Sequence, residues 1–180
     1  EAPGIAETAK RLGLKPNGAT VQVLKTFHTA HGGKLSLSRV LSGEVADGTV
    51  LHGAQGQDSR VAGVFTLMGS TPTKMQKAVA GDTVALGRLE GARTGETLST
   101  SKGNAPQLVT LEAAPGVYGF AISVNDRKDE VKLTSAISKL VEEDPSLSLE
   151  HNHDTHEMVL WGQGEMHLRV ALEKLPGKFG

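Results

Sequence analysis

The stretch VLWGQGEMHLRVALEKL, residues 159–175, changes its hydrophobic period within a few residues. An apolar run ends at Gly162 and Gly164, and apolar residues then recur at helical spacing, at positions 168, 171, 172 and 175. This pattern predicts a strand, a tight turn and a helix. Glu165 and His167 follow the glycines directly. This junction of strand, turn and helix, which we name the corner, is therefore the first candidate for a functional site.

The residues before this corner predict further elements of an α+β unit. YGFAISV (118–124) alternates as a strand, and LSLEH (147–151) and EMVLW (157–161) form a predicted hairpin. A helix between them is expected to have Asp126 as its N-cap and to end before Pro145. Its apolar face is formed by Leu133, Ala136, Ile137, Leu140 and Val141.

The resulting order, β-α-β-β-α, is that of a ferredoxin-like fold without its last strand. That strand is expected to start at GKFG, residues 177–180. We therefore place a truncated ferredoxin-like domain at residues 118–180.

Residues 20–101 show a different pattern, with a period of two. VQVLKTFHTA and GGKLSLSRVLSGEV alternate, the second through Leu35, Leu37 and then Val40, and turn residues recur at short intervals. Short strands without a helix-length segment predict a closed antiparallel β-barrel. Residues 1–19 are expected to be the tail of an upstream region with one or two helical turns. Residues 102–117 are expected to be a connector with a strand at Leu108–Leu111.

Composition limits the classes of function. The chain has 180 residues, of which 38% are hydrophobic, and it contains no cysteine. No apolar run reaches the roughly 18 residues of a membrane span, and the lack of disulfides fits the cytoplasm. The net charge is −1, with +3 in residues 1–101 and −4 in residues 102–180. Any binding of RNA is therefore expected from the first half.

Nucleotide chemistry at the corner is disfavoured by its residues. WGQGEMH lacks the third glycine of G-x-G-x-x-G, and no Lys-Ser/Thr pair follows as in a P-loop. The two glycines are more typical of a tight turn with close packing. At the preceding helix end, Glu142, Glu143 and Asp144 are mildly unfavourable to the helix dipole, which hints at another constraint on them.

A histidine cluster gives the alternative function. HNHDTH supplies His151, His153, Asp154 and His156, whose imidazole and carboxylate groups suit zinc. A hairpin turn also favours Asn, His and Asp, and it places alternate side chains on opposite faces. A metal-binding protein or enzyme built on this cluster is thus the rival hypothesis, although we assign no metal ligand.

Arg39 is the candidate for binding on the barrel. Alternation sends its side chain outward, where a guanidinium group either stays in solvent or contacts a phosphate. The spacing alone does not decide between these two roles.

Two sets of segments resemble known translation factors. GGKLSLSRVLSGEVADGTVL, RVAGVFTLMG and AVAGDTVALGRLEGARTGETL resemble the second domain of translational GTPases. The segment from Lys132 to Leu175, with its Glu-Glu-Asp-Pro and Gly-x-Gly-Glu-x-His-Leu elements, resembles the third domain of bacterial elongation factor G. The resemblance covers residues 20–179 and preserves the domain order.

The resemblance implies a parent protein that is a ribosome-dependent GTPase, with GTP and magnesium bound in a nucleotide domain outside this chain. It implies no cofactor and no catalysis here, and no membrane partner. The barrel is expected to face small-subunit ribosomal RNA through Arg39. The third domain is expected to contact the nucleotide domain of the same chain and a small-subunit ribosomal protein, and to take part in translocation or ribosome recycling.

The same resemblance assigns the corner, with Gly162, Gly164 and Glu165, to an interdomain surface. Positions matching Asp144 and His167 lie near the family's pocket for fusidane antibiotics. Three residues depart from the family pattern: Ser146 replaces the more frequent Thr, Ala171 a larger apolar residue, and Trp161 a small residue. These departures predict a divergent relative of the main translocase.

Overall fold

The structure, a computed structural model, describes residues 4–14, 18–29, 33–54, 56–69, 71–102, 108, 112–124, 127–152, 155 and 157–179. The chain divides into two compact units, residues 1–111 and residues 112–180. Several predicted features lie outside the described residues: the N-cap Asp126, the strand from residue 109 onward, and His153, Asp154 and His156.

The first unit is built of antiparallel strands, as predicted. A short helix, α1, precedes them at Ile5–Arg11, where helical spacing was expected. The strands are β1 Thr20–Thr29, β2 Gly33–Ser42, β3 Glu44–Ala46, β4 Val50–His52, β5 Asp58–Arg60, β6 Val64–Met68, β7 Thr71–Met75, β8 Lys77–Val79, β9 Thr83–Gly87 and β10 Thr97–Ser99. Eight of them pair in the order β5-β4-β10-β1-β2-β9-β6-β7, and β3 pairs with β8 in a second sheet.

The two sheets of this unit enclose one apolar core. Val21 and Val40 of the large sheet pack in the same cluster as Val45 of β3 and Ala78 of β8, and all four are fully buried. Among the described strands, backbone pairing forms two sheets rather than the single closed ring that was predicted. The chain leaves the large sheet for the small one at Gly43, whose φ of 68° lies in the left-handed region that favours glycine. The two sheets are therefore held together by this shared core.

Strand β2 turns small polar side chains toward the interior. Ser36 and Ser38 are fully buried beside the core residues Leu86 and Val84 of β9. Leu35 and Leu37 lie on the opposite face, which also carries Arg39, because side chains alternate along a strand, and Leu35 is itself buried there. The large residues of β9 fill the interior next to the two serines, while Phe27 and Lys25 of β1 pair with the two leucines.

The second unit has the predicted β-α-β-β-α order. Its elements are β11 Tyr118–Ile122, α2 Glu130–Glu143, β12 Ser148–Asn152, β13 Glu157–Gly162 and α3 Glu165–Phe179. The strands pair in the order β11-β13-β12, and both pairs are antiparallel, so β11 runs parallel to β12. This is the arrangement of a split β-α-β sandwich.

Both helices pack on one face of this sheet through the predicted apolar stripes. Ile137, Leu140, Leu168 and Ala171 are buried against Leu160 of β13. A 3-10 turn at Arg127–Asp129 leads into α2, whose α-helical hydrogen bonding begins at Glu130.

Helix α3 passes through Pro176 and reaches Phe179, so residues 177–179 are helical and do not begin the strand that was expected there. Pro176 removes one backbone hydrogen bond, but Leu172 and Leu175 pack against the core and hold these turns in place. None of the helices in the described part of the chain is long and apolar enough to cross a membrane.

Candidate functional site

Asp144 is held at the C-terminal end of α2 by a dense set of hydrogen bonds. Its backbone N–H donates to Leu140 O at 2.9 Å, which closes the helix. Its carboxylate Oδ1 accepts bonds from the Ser146 backbone N–H, at 3.0 Å, and from the Ser146 hydroxyl. Partial burial acts to raise the pKa of Asp144, but the bonds from Ser146 and His167 outweigh it and hold that pKa below its ordinary value. This carboxylate is therefore ionised at neutral pH.

His167, in the first turn of α3, connects Asp144 to the glycine turn. Its Nε2 lies 3.0 Å from Asp144 Oδ2, and its Nδ1 lies 3.1 Å from the backbone N of Gln163. A backbone N–H can only donate, so Nδ1 must be the acceptor and Nε2 must carry the proton given to Asp144. The neutral imidazole of His167 thus donates to Asp144 through Nε2 and accepts from Gln163 through Nδ1.

Gln163, between the two glycines, extends this network to the start of the unit. Its side-chain Nε2 donates to Ala114 O at 3.1 Å and to Pro115 O at 3.0 Å. The backbone N–H of Val117 donates to Gly162 O at 2.9 Å in the same region. A continuous path of hydrogen bonds therefore runs from Ala114 through Gln163, His167 and Asp144 to Ser146.

The two glycines of the corner differ in how much space surrounds them. A Cβ on Gly162 would lie 2.7 Å from Leu168 Cδ2, 3.0 Å from His167 Nδ1 and 3.2 Å from Leu147 Cδ2. A Cβ on Gly164 would meet no atom within 4 Å. Gly162 is required for the close approach of α3 to the sheet, which supports the structural interpretation of this turn.

The corner brings together part of the predicted set. Asp144, Gly162 and His167 meet directly, and Gly164 stands in the same turn. Glu165 is exposed and pairs with Arg169 one helical turn later, outside the network. The sequence interpretation missed Gln163, because a polar residue between two glycines has no pattern of its own.

The three departures from the family pattern fall in different places. Ser146 takes part in the network through its hydroxyl, which a threonine would also supply. Ala171 is buried in the core between the helices and the sheet. Trp161 lies on the other face of the sheet, next to Gly162 in sequence but outside the network. An antibiotic pocket near Asp144 and His167 stays a prediction.

Arg39 is exposed, in the outward position that alternation predicts. It stands in a row across three strands, between Gln22 of β1 and Thr83 of β9. Its Nη1 donates to Thr83 Oγ1 at 3.0 Å, which orients the guanidinium group along the surface. Arginine, glutamine and threonine side chains are common donors to phosphate oxygens.

The outward face of β1, β2 and β9, which we name the barrel strip, contains no acidic residue. The three adjacent strands, residues 20–29, 33–42 and 83–87, lack Asp and Glu entirely. Lys25 adds a second cation on this face, with its Nζ 5.7 Å from the centre of the Phe27 ring. A phosphate that approaches these three strands meets the positive charges of Arg39 and Lys25 beside the neutral donors Gln22 and Thr83, while Asp82 lies at the edge of the strip.

The rival metal site lies mostly outside the described residues. His151 is exposed on β12, and its predicted companions lie outside the described residues. Among the residues that the structure does describe, no group of three His, Asp or Glu side chains is placed to hold a metal ion.

A barrel-like unit of antiparallel strands followed by a ferredoxin-like unit is the domain order that the resemblance to translation factors implies. Residues 18–101 match the family elongation factor G domain 2, and residues 113–180 match elongation factor G, domain III. The chain therefore belongs to the elongation factor G family and carries its second and third domains.

Individual relatives agree with this assignment. The chain is 46% identical to an elongation factor G-like protein of Synechocystis over 99% of its length, and 31% identical to one of Mycobacterium tuberculosis over 88%. A crystal structure of a protein from Thermus thermophilus matches 97% of the chain with a TM-score of 0.76 and 28% identity. The chain spans about a quarter of the length of these proteins, 26%, 24% and 26% respectively. The family supports a role in translation.

Proposed function

We propose that this chain is the ribosome-binding and interdomain-coupling part of a translational GTPase in the elongation factor G family. The observation that carries the binding role is the barrel strip, an acid-free surface of three strands with Arg39 in a row of phosphate donors. RNA is the partner that such a surface suits, because its backbone offers one negative charge per nucleotide. In this proposal the strip meets small-subunit ribosomal RNA in the cytoplasm.

The coupling role rests on the corner. The hydrogen-bond path from Ala114 to Ser146 joins the segment that enters the second unit to the facing ends of both helices. A displacement of that segment changes the Gln163 contacts first and reaches Asp144 through His167. Such a fixed path is suited to transmit a movement between the nucleotide domain of the same chain, a small-subunit ribosomal protein and the rest of the factor.

GTP and magnesium belong, in this proposal, to the whole factor rather than to these residues. The sequence contains no P-loop lysine in its proper context, and the two matched families are the second and third domains. Calorimetric titration of the 180-residue chain with GTP and magnesium is expected to give no saturable heat. A saturable site would overturn this division of roles.

The branch of the family is a further part of the proposal. Relatives named elongation factor G-like are 46% and 31% identical to the chain, whereas one named elongation factor G is 34% identical and one named elongation factor G 1 is 28% identical. The higher identity to the Synechocystis protein favours the elongation factor G-like branch, in translocation or in recycling of ribosomes.

The test of ribosome binding is charge reversal at Arg39 in the whole factor. Arg39→Glu is expected to weaken association with small subunits and to reduce the salt dependence of log K by about one unit per lost phosphate contact. Lys74→Glu is the matched control, because Lys74 is an exposed barrel cation on β7, outside the strip. An equal salt dependence of log K for the two variants would show that Arg39 makes no phosphate contact of its own.

A further inference from the structure

The three-stranded sheet of the second unit has a face that the helices do not cover. Met158 and Leu160 of β13 point toward the helices, so Val159 and Trp161, which alternate with them, point away. The register groups residues of all three strands on this open face, among them Gly119, Ala121, Ser148, Glu150, Val159 and Trp161. Trp161 is the chain's single tryptophan.

The indole of Trp161 lies across this face in a fixed position. Its Nε1 donates to Glu150 Oε2 of β12 at 2.7 Å. Its other edge covers Gly119 of β11, where a Cβ would lie 3.1 Å from Trp161 Cε3 and 3.2 Å from Cδ2. The ring thus spans all three strands, with one side against the sheet and the other turned outward. A side chain at position 119 would press on this ring and on Val159 Cγ1, which would lie 3.0 Å from its Cβ.

The charge on the open face has one sign. The charged residues that β11, β12 and β13 direct to it are Glu150 and Glu157, the latter paired with Asn152 at the end of the hairpin. The second half of the sequence has a net charge of −4. A phosphate backbone would meet like charge here, whereas a cation would meet an aromatic ring and a carboxylate side by side.

We propose that the open face is a docking surface for a basic, arginine-rich segment of a partner protein. The outward side of the Trp161 ring receives a guanidinium group by stacking. Glu150 uses Oε2 for the indole, and its Oε1 accepts a bond from the same guanidinium. This role goes beyond the coupling function of the corner, since neither Trp161 nor Glu150 belongs to that hydrogen-bond path.

Trp161 itself reports on the test. The 180-residue chain is titrated with a capped octapeptide of alternating arginine and glycine, and the fluorescence of Trp161 is followed. A saturable change is expected. Glu150→Gln keeps an acceptor for the indole and removes the charge, and it is expected to weaken binding about three- to tenfold. Glu173→Gln, on the exposed side of α3, removes the same charge elsewhere and is expected to leave binding unchanged.

A second variant tests the ring. Trp161→Leu removes the aromatic surface but keeps an apolar side chain, and its affinity is measured by anisotropy of a labelled peptide. It is expected to lose binding about threefold or more, with circular dichroism confirming the fold.

Equal effects of Glu150→Gln and Glu173→Gln would show unspecific charge attraction and overturn the proposal. Stronger binding of an oligouridylate than of the peptide would assign the face to RNA and overturn it as well. Neither experiment involves ribosomes, so the outcome is independent of the test on Arg39.

Discussion

The barrel strip and the corner place functional residues in opposite ways. On the strip, Arg39 is exposed on a regular strand, and one bond to Thr83 orients it. At the corner, Asp144 and His167 are partly buried and joined to two other segments by hydrogen bonds. A surface of the first kind tolerates substitution and depends on charge, whereas a network of the second kind depends on shape and on the direction of each bond.

The largest effect is expected from Gly162→Ser. The new side chain would overlap Leu168 and His167, which packing and hydrogen bonding hold in place, so the second unit should lose about 1–3 kcal/mol of unfolding free energy. Urea unfolding followed by Trp161 fluorescence measures this unit specifically, because the chain has one tryptophan.

Gly164→Ser is the matched control for that change. The position precedes the first residue of α3, has open space around it, and suits a serine, which is a preferred N-cap. The control is expected to stay within about 0.5 kcal/mol of the original chain. If both serines destabilise the unit equally, close packing is not what selects glycine at position 162.

The next effect is expected from Asp144→Asn. An asparagine amide can accept from Ser146 or from His167 but not from both, because its other atom is a donor. Turning the histidine tautomer does not help, since Nδ1–H would then face the Gln163 N–H. A loss of about 1–2 kcal/mol is expected in the same urea experiment. Glu173→Gln, the change of an exposed carboxylate on α3, is the comparison, and equal losses would argue against a directional network.

The stability of the second unit at acidic pH should depend on the same carboxylate, that of Asp144. The folded pKa of Asp144 lies below its ordinary value of 3.8, so the folded state binds this proton less readily than the unfolded state. Its contribution to stability is therefore present above pH 3.8 and is lost as the pH falls through the lower, folded pKa. The original chain should lose more stability than Asp144→Asn between about pH 5 and about pH 3. Parallel profiles of stability against pH for the two chains would show that the ionised Asp144 carboxylate does not stabilise the fold.

The features of the fold that the sequence predicted correctly are those that depend on hydrophobic periodicity. The stripes through Ile137 and Leu168 identified both helices, and alternation placed Arg39 outward, because burial of one face repeats with the geometry of the element. The ferredoxin-like order followed from the sequence of strands and helices. The resemblance to elongation factor G rested on two short elements, and the family matches confirm it.

What the sequence did not predict depends on contacts between distant residues. The bonds from Gln163 to Ala114 and Pro115 join positions almost 50 residues apart, and no local pattern encodes them. The burial of Ser36 and Ser38 on β2 has a similar cause, because the neighbouring strand, not β2 itself, supplies the bulk that fills the interior. The open face of the second sheet became visible only with the register of its three strands.

The smallest effect on stability is expected on the barrel strip, and it completes the contrast with the corner. Arg39→Ala removes an exposed side chain whose bond to Thr83 lies at the surface, so the barrel should stay within about 0.5 kcal/mol of the original. Amide hydrogen exchange of β2 and β9 measures this directly, since these strands pair along Leu35–Arg39 and Thr83–Gly87. Thr83→Val, which removes the partner of the same bond, should behave alike. Faster exchange corresponding to more than about 1 kcal/mol in Arg39→Ala would make Arg39 a structural residue of the barrel. Loss of ribosome binding in Arg39→Glu would then follow from a weakened fold, and the strip would no longer be a surface free to bind RNA.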